Sequence, residues 1–318
     1  MTIADIYDAK KCLQGIIRET PLIKSTISDK CNLFLKLENL QVTGSFKIRG
    51  AYNKISRLNE AEKNAGIIAC SAGNHAQGVA MSAQKLGIHA VICMPVSAPQ
   101  VKVEATQKLG AETILVDGTF DDAYQKSLEL QKQYGYTFIH PFDDDLVIAG
   151  QGTIGLEIMD ELPDADIIIC PVGGGGLIAG IAFAAKTINP NIKIYGVQSS
   201  GAPSMYASMA GGYITKLAKM NTIADGIAVG QVGSLTFNYA KQYVDDIFVV
   251  TDGKIAKAIK AMITAEKTVA EGAGATPLAA LMADYIPDID KNKKVVCVVS
   301  GGNIDIPLLA RLTTWELG

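Results

Sequence analysis

The chain has 318 residues, enough at roughly 150 residues per domain for about two domains with a sizeable core. Hydrophobic residues make up 48 % and charged residues 19 %, which excludes an intrinsically disordered chain. The 29 lysines and arginines against 32 aspartates and glutamates give a net charge of −3, spread without blocks, so nucleic acid and an anionic membrane surface are not expected partners.

The opening MTIADIYDAKKCLQ carries acids and lysines throughout and no apolar core, so no signal peptide is expected. Six widely spaced cysteines without a CxxC pair, and three histidines in all, offer little material for a zinc site, so no metal is expected. They suit a reducing cytoplasm.

The first informative segment is 36–51, KLENLQVTGSFKIRGA. Ser45 reads as an N-cap, after which Ile48, Ala51, Tyr52 and Ile55 follow at helical spacing. Lys47 then lies in the first turn, where the helix dipole and flanking Phe46 and Ile48 disfavour its cationic form and pull its pKa below the free value of about 10.4. A lysine made neutral in this way can form a Schiff base; a solvated surface lysine is the plainer reading of that residue alone.

Beyond it, β-branched runs at 66–70, 89–94, 113–116, 137–139, 167–170, 193–197, 247–250 and 294–299 predict strands. Helix-length patterns at 75–86, 99–109, 119–134, 145–161, 176–187 and 254–269 lie between them. The runs are near-continuously apolar, as in parallel strands covered on both faces, and their alternation with helices predicts an α/β fold with open, mainly parallel sheets. The uncharged stretch from Ile167 to Ala185 approaches the length of a membrane span, but Pro171 and four glycines at its centre make it a strand, a turn and a buried helix. Asp143, Asp144 and Asp145 are read as capping the helix that begins there. His89 and His140 are read as strand-edge or packing residues, and Trp315 as a packing or subunit contact.

Three strand-to-helix turns carry the chemistry: Ser71-Ala72-Gly73-Asn74-His75, Gly173-Gly174-Gly175-Gly176-Leu177, and Ser300-Gly301-Gly302-Asn303. Each offers backbone N–H groups at a helix start, where an anion is favoured. The glycine turn also fits a dinucleotide fingerprint, but the strand 193–197 runs into Gln198 where that motif wants an acid. A phosphate cradle fits better, and a purely structural glycine turn is the plainer alternative.

Taken together, KLENLQVTGSFKIRGA, SAGNHAQG, GGGGLIAG, EGAGA and SGGNID, in this order, closely resemble the fold-type II pyridoxal-phosphate enzymes of the threonine dehydratase and serine racemase branch, from about residue 16 to 305. The resemblance implies a tryptophan synthase β-like architecture with helices on both faces of two twisted sheets. It implies a small domain at 50–143 inserted in a large domain formed by 1–49 and 144–318, with no C-terminal regulatory domain. Pyridoxal 5'-phosphate is the implied cofactor, with Lys47 as the catalytic Schiff-base residue and Phe46 against the ring. Gly173, Gly174, Gly175, Gly176 and Leu177 would hold the phosphate, Asn74 the phenolic oxygen, and Ser300 would face the pyridine nitrogen. Gly226 and Glu271 would border the cofactor, and Ser71, Gly73, Asn74 and His75 would receive the substrate carboxylate. The implied reaction is β-elimination from L-threonine, giving 2-oxobutanoate and ammonia, and from L-serine, by a cytoplasmic homodimer or homotetramer. Racemisation is the alternative, but racemases of this branch carry serine at the position of Ala72 and acidic cation ligands at those of Gln198 and Ser204. A non-catalytic phosphate-ligand binder is the alternative of a different class.

Overall fold

In the computed structural model, which describes residues 1–314, the strands form two sheets. Trp315 lies outside the described residues. The larger sheet has the order β1 (Leu22–Lys24), β2 (Asn32–Leu37), β10 (Lys294–Val299), β7 (Ile167–Pro171), β8 (Lys193–Ser199) and β9 (Asp246–Val250). All its pairings are parallel except that of β1 with β2 at the edge. The smaller sheet is all parallel, in the order β5 (Glu112–Val116), β4 (Ala90–Pro95), β3 (Ile67–Cys70) and β6 (Thr137–Phe138).

The helices are α1 (Ile3–Cys12), α2 (Lys47–Ile55), α3 (Glu60–Ala65), α4 (Asn74–Leu86), α5 (Gln100–Lys108), α6 (Phe120–Tyr134), α7 (Asp145–Glu161) and α8 (Gly176–Ile188). They continue with α9 (Ser204–Gly211), α10 (Ser234–Tyr243), α11 (Asp252–Ala261), α12 (Gly272–Met282) and α13 (Ile306–Thr314). The helix expected over 254–269 ends early: α11 passes into a π-turn at Met262–Glu266 and stops where Lys267 takes φ +55°.

Alternate residues of each central strand serve opposite faces of the large sheet. Ile167, Ile169, Val295 and Cys297 pack with Ile255, Ile259, Leu278 and Leu281 of α11 and α12. Ile168, Cys170, Val296 and Val298 pack with Ile154 and Ile158 of α7 and Ile178 and Ile181 of α8. Each fully buried aliphatic side chain contributes about 1.5–3 kcal/mol, which is why these strands have no polar side. In the smaller sheet Ile67, Ala69 and Ile92 face α2 and α4, while Ile68, Val91 and Cys93 face Leu130 of α6.

Glycines let the helices that begin at the site touch backbone to backbone. A methyl group on Gly78 of α4 would stand 3.0 Å from the Lys47 carbonyl carbon, and one on Gly150 of α7 would stand 2.6 Å from both Arg49 O and Gly50 Cα of α2. Gly180 of α8 meets Gly152 N of α7 in the same way, at 2.6 Å. Behind α2, fully buried Arg49 forks onto Glu38 through Nε and Nη2, both at 2.8 Å. It also reaches Glu157 of α7 at 2.5 and 2.9 Å, and buried Lys36 adds a second cation 2.8 Å from Glu157.

Candidate active site

Lys47 is the first residue of α2, and the loop before it is fastened to the turn after β10. Phe46 N donates to Ser300 O at 3.1 Å, Gly302 N donates to Gly44 O at 2.9 Å, and Ser45 bridges Gly301. Ser45 is therefore not the N-cap expected of it: the bridge to Gly301 fixes its backbone, Phe46 occupies the cap position, and the buried Ser45 hydroxyl has no partner among the described residues. The Lys47 ammonium donates to Pro141 O at 2.8 Å and lies 5.2 Å from the centre of the Phe46 ring. Burial pushes its pKa down to about 8, against the nearby Glu271 carboxylate, which raises it.

Asn74 opens α4. Its Nδ2 donates to Glu271 Oε1 at 2.7 Å, and its Oδ1 accepts from Asn303 Nδ2 at 2.7 Å. Asn303 gives its other hydrogen to Thr43 O at 2.9 Å. Because a carboxylate only accepts, this pattern fixes which way the Asn74 amide points and leaves one of its N–H hydrogens uncommitted among these partners. Glu271 is 3 % exposed, and burial, reinforced by Asp225, pushes its pKa up to about 7 although Asn74 hydrogen-bonds it. Gly226 adjoins this pair: a methyl group there would stand 3.1 Å from Glu271 Oε1.

The glycine turn opens α8. Gly175 takes φ +97°, a left-handed conformation that glycine adopts without strain. The amides of Gly173, Gly174, Gly175, Gly176 and Leu177 donate to no described residue, which leaves a row of N–H groups at a helix start. The outer side of this turn is packed shut: Thr236 Oγ1 donates to Gly174 O at 2.6 Å, and a methyl group on Gly176 would meet Phe142 Cβ at 2.9 Å. Gly173 lies beside Ile227 and Gly226, so the turn adjoins the Asn74 and Glu271 pair.

On the Ser71 to His75 turn, Ser71 Oγ accepts from Gly73 N at 3.2 Å, and the buried His75 ring bonds Ile139 O through Nε2 at 2.9 Å. Burial and the neighbouring Lys47 charge hold the His75 pKa down at about 3, so the ring is neutral. The contacts thus join the expected site residues into one group, with Ser300 tied to Phe46 through its carbonyl.

Sequence reading missed the segment from His140 to Asp143. His140 packs as expected, edge-on against Phe142 with ring centroids 4.7 Å apart, but it does more: its Nδ1 accepts from Asp143 N at 2.7 Å and Phe142 N at 3.3 Å, in the turn that carries Pro141 O to Lys47. The three aspartates also separate. Asp144 caps α7 as expected, Asp143 accepts from the amides of Ser234, Leu235 and Thr236 at the start of α10, and Asp145 accepts from Tyr239 at 3.2 Å. The signal for Asn303 was present, since it ends the SGGN turn.

A half-buried lysine amine, a row of unpaired amides able to take a phosphate, and an asparagine amide donor define an enzyme site built for a phosphorylated carbonyl cofactor. The chain belongs to the family described as "Pyridoxal-phosphate dependent enzyme", whose model matches residues 13–301. It is 49 % identical over 315 residues to an L-threonine ammonia-lyase of Thermotoga maritima, covering 98 % of this chain and 78 % of the relative. Among solved structures it resembles the processed form of threonine deaminase isoform 2 of Solanum lycopersicum (TM-score 0.93, 40 % identity, 99 % and 87 % of the two chains covered). It is equally similar in fold to maize serine racemase (TM-score 0.93, 38 % identity, 98 % and 96 % covered). Pyridoxal phosphate fits the residues present: the unpaired amides suit its phosphate and the half-buried lysine its carbonyl.

Proposed function

We propose that the protein is a threonine ammonia-lyase that removes water and ammonia from L-threonine and accepts L-serine as a second substrate. The observation that carries this reading is the Lys47 amine, first in its helix, held at Pro141 O at 2.8 Å and depressed to about 8. An amine with that pKa is still mostly protonated near physiological pH, but its neutral fraction is far larger than that of an ordinary lysine with a pKa of about 10.4, and in that form it serves both as nucleophile and as general base.

Pyridoxal phosphate supplies the electron sink that makes the substrate α-hydrogen acidic. In this reading the amides of residues 173–177 bind its phosphate, the uncommitted N–H of Asn74 meets its phenolic oxygen, and Phe46, Gly226 and Glu271 border its ring. Ser300 offers the ring nitrogen a neutral hydroxyl in place of a carboxylate, a weaker partner that suits loss of a leaving group over storage of charge. The start of α4, from Ser71 to His75, binds the substrate carboxylate and orients the α-hydrogen toward Lys47, which removes it. Ala72 has no proton to give or take, which weighs against racemisation despite the likeness to a racemase fold. We place the activity in the cytoplasm and in a homo-oligomer, and draw a small domain at 50–143 with the remainder as a large one. No described helix is long and apolar enough to cross a membrane.

The test is to assay 2-oxo acid, ammonia and D-amino acid formation from L-threonine and L-serine by the wild type and Lys47→Ala. The expected wild type is yellow and forms 2-oxobutanoate, while Lys47→Ala is colourless and inactive. A colourless wild type, or D-serine formed without 2-oxo acid, overturns the reading.

A further inference from the structure

The turn at 140–143 touches three things at once. Pro141 O accepts from the Lys47 amine, Phe142 packs on Gly174 and Gly176, and Asp143 caps α10. Asp143 and Phe142 fasten the turn from outside, and within it one side-chain atom, His140 Nδ1, accepts the backbone N–H groups of Asp143 at 2.7 Å and Phe142 at 3.3 Å. From this we infer that His140 is a positioning residue: it sets the turn so that the Pro141 carbonyl receives the Lys47 amine whenever that amine is free, holding it on the face where it must take the substrate α-hydrogen. The inference rests on Lys47 being the base of the proposed reaction.

The chemistry favours this role. A backbone carbonyl accepts hydrogen bonds but cannot trade protons with an amine, so it can hold Lys47 without competing for the proton that Lys47 moves. A long lysine side chain freed from a covalent partner has several rotatable bonds, and fixing one end is the positioning that proton abstraction needs. For Nδ1 to accept, the His140 ring must be neutral. Burial and the Lys47 charge hold its pKa below the ordinary histidine range, against Asp143 and Asp144, which pull it upward. The neighbouring His75 bonds Ile139 O at 2.9 Å and so anchors the same segment one residue earlier.

Asparagine carries an acceptor oxygen where histidine carries Nδ1; phenylalanine keeps the ring and loses the acceptor. The experiment uses the full-length, pyridoxal-phosphate-loaded protein and follows two signals. One is its visible absorbance band; the other is exchange of the α-hydrogen of L-alanine, which has no leaving group, for solvent deuterium. His140→Phe is expected to keep the band and lose exchange by roughly 10- to 100-fold, the scale of an ångström-level misplacement. His140→Asn is expected to restore most of it. Exchange by His140→Phe at the wild-type rate, or a His140→Asn loss as deep as that of His140→Phe, overturns the inference. If His140→Phe does not fold, His140→Ala against His140→Asn makes the same contrast. Failure of the underlying reading looks different: Lys47→Ala would then retain the band or the exchange.

Discussion

Asn74 Nδ2 donates to Glu271 Oε1 at 2.7 Å, an amide from the start of α4 bonded to a carboxylate from the start of α12. The carboxylate is buried and pushed up to about 7, yet it also raises the Lys47 pKa through its charge. Its ionisation therefore bears on two functional groups at once: the direction in which Asn74 points and the pH at which Lys47 becomes a base.

Glu271→Gln removes that charge. The Lys47 ammonium loses stabilisation, its pKa falls below about 8, and the acid limb of the pH–rate profile moves to lower pH. The amide also has one acceptor oxygen where the carboxylate had two, so weaker pyridoxal-phosphate binding is expected alongside. Steady-state rates across pH 5 to 9 for both proteins check the direction, and a limb that moves to higher pH contradicts it.

His75 makes the fold sensitive to acid. Its folded pKa of about 3 lies below the ordinary value of about 6.5, so between these the unfolded chain binds the proton and the folded chain does not. Stability is therefore lost as pH falls through that window, by up to about 1.4 kcal/mol per pH unit. Glu271 opposes this above its ordinary pKa, because its folded pKa is raised and its burial favours the lower pH. His75→Gln keeps an amide donor for Ile139 O and removes the titration. Urea unfolding of the variant should show a flatter loss of stability from pH 6.5 to 3 than the wild type.

Arg49 joins Glu38 and Glu157 where no water reaches it. Removing one partner of a buried ion pair costs about 3–5 kcal/mol because the opposite charges remain unpaired. Arg49→Ala is expected to lower the unfolding free energy on that scale, and Arg49→Lys to restore only part, since an ammonium cannot fork onto two carboxylates. Denaturant midpoints of the three proteins give the comparison.

Gly150→Ala puts a methyl group 2.6 Å from Arg49 O and Gly50 Cα. Overpacking of this kind costs about 1–3 kcal/mol, and relief requires α2 to move away from α7 and carry Lys47 with it. A drop in melting temperature accompanied by a fall in activity per folded molecule is expected; a drop in stability alone would mean that α2 does not move.

The turns before α4 and α8 were legible because their signals are local: an apolar run, glycines, then a helical period. The third turn departs from the expectation of free amides at a helix start, because α13 begins only at Ile306 and the Gly302 amide is spent on Gly44 O. The antiparallel β1 and its neighbour β2 were not read as strands: β2 carries Lys36 inside a hydrophobic run, and the partners that explain a buried lysine there are Glu157 and Glu161, more than a hundred residues away on α7, and the Thr20 carbonyl. Arg49 and Glu38 stand in the segment that marks the family, but nothing nearby says that they bond each other. Ser45 looked like a cap because its spacing to Ile48 and Ala51 was right, and the bridge to Gly301, from the far end of the chain, overrode that local preference. His140 had no period or motif around it, and its role depends on backbone hydrogen bonds and on a lysine 93 positions earlier in the chain.

The glycine contacts among α4, α2, α7 and α8 have a bearing on how this chain can change over time. Side chains can swap size and shape with their neighbours, but two backbones already touching have nothing to exchange. The spacing between the starts of α2, α4 and α8 is thus held by atoms that every amino acid shares, and the surrounding apolar residues have more freedom to drift in identity than Gly50, Gly78, Gly150, Gly152 and Gly180 have.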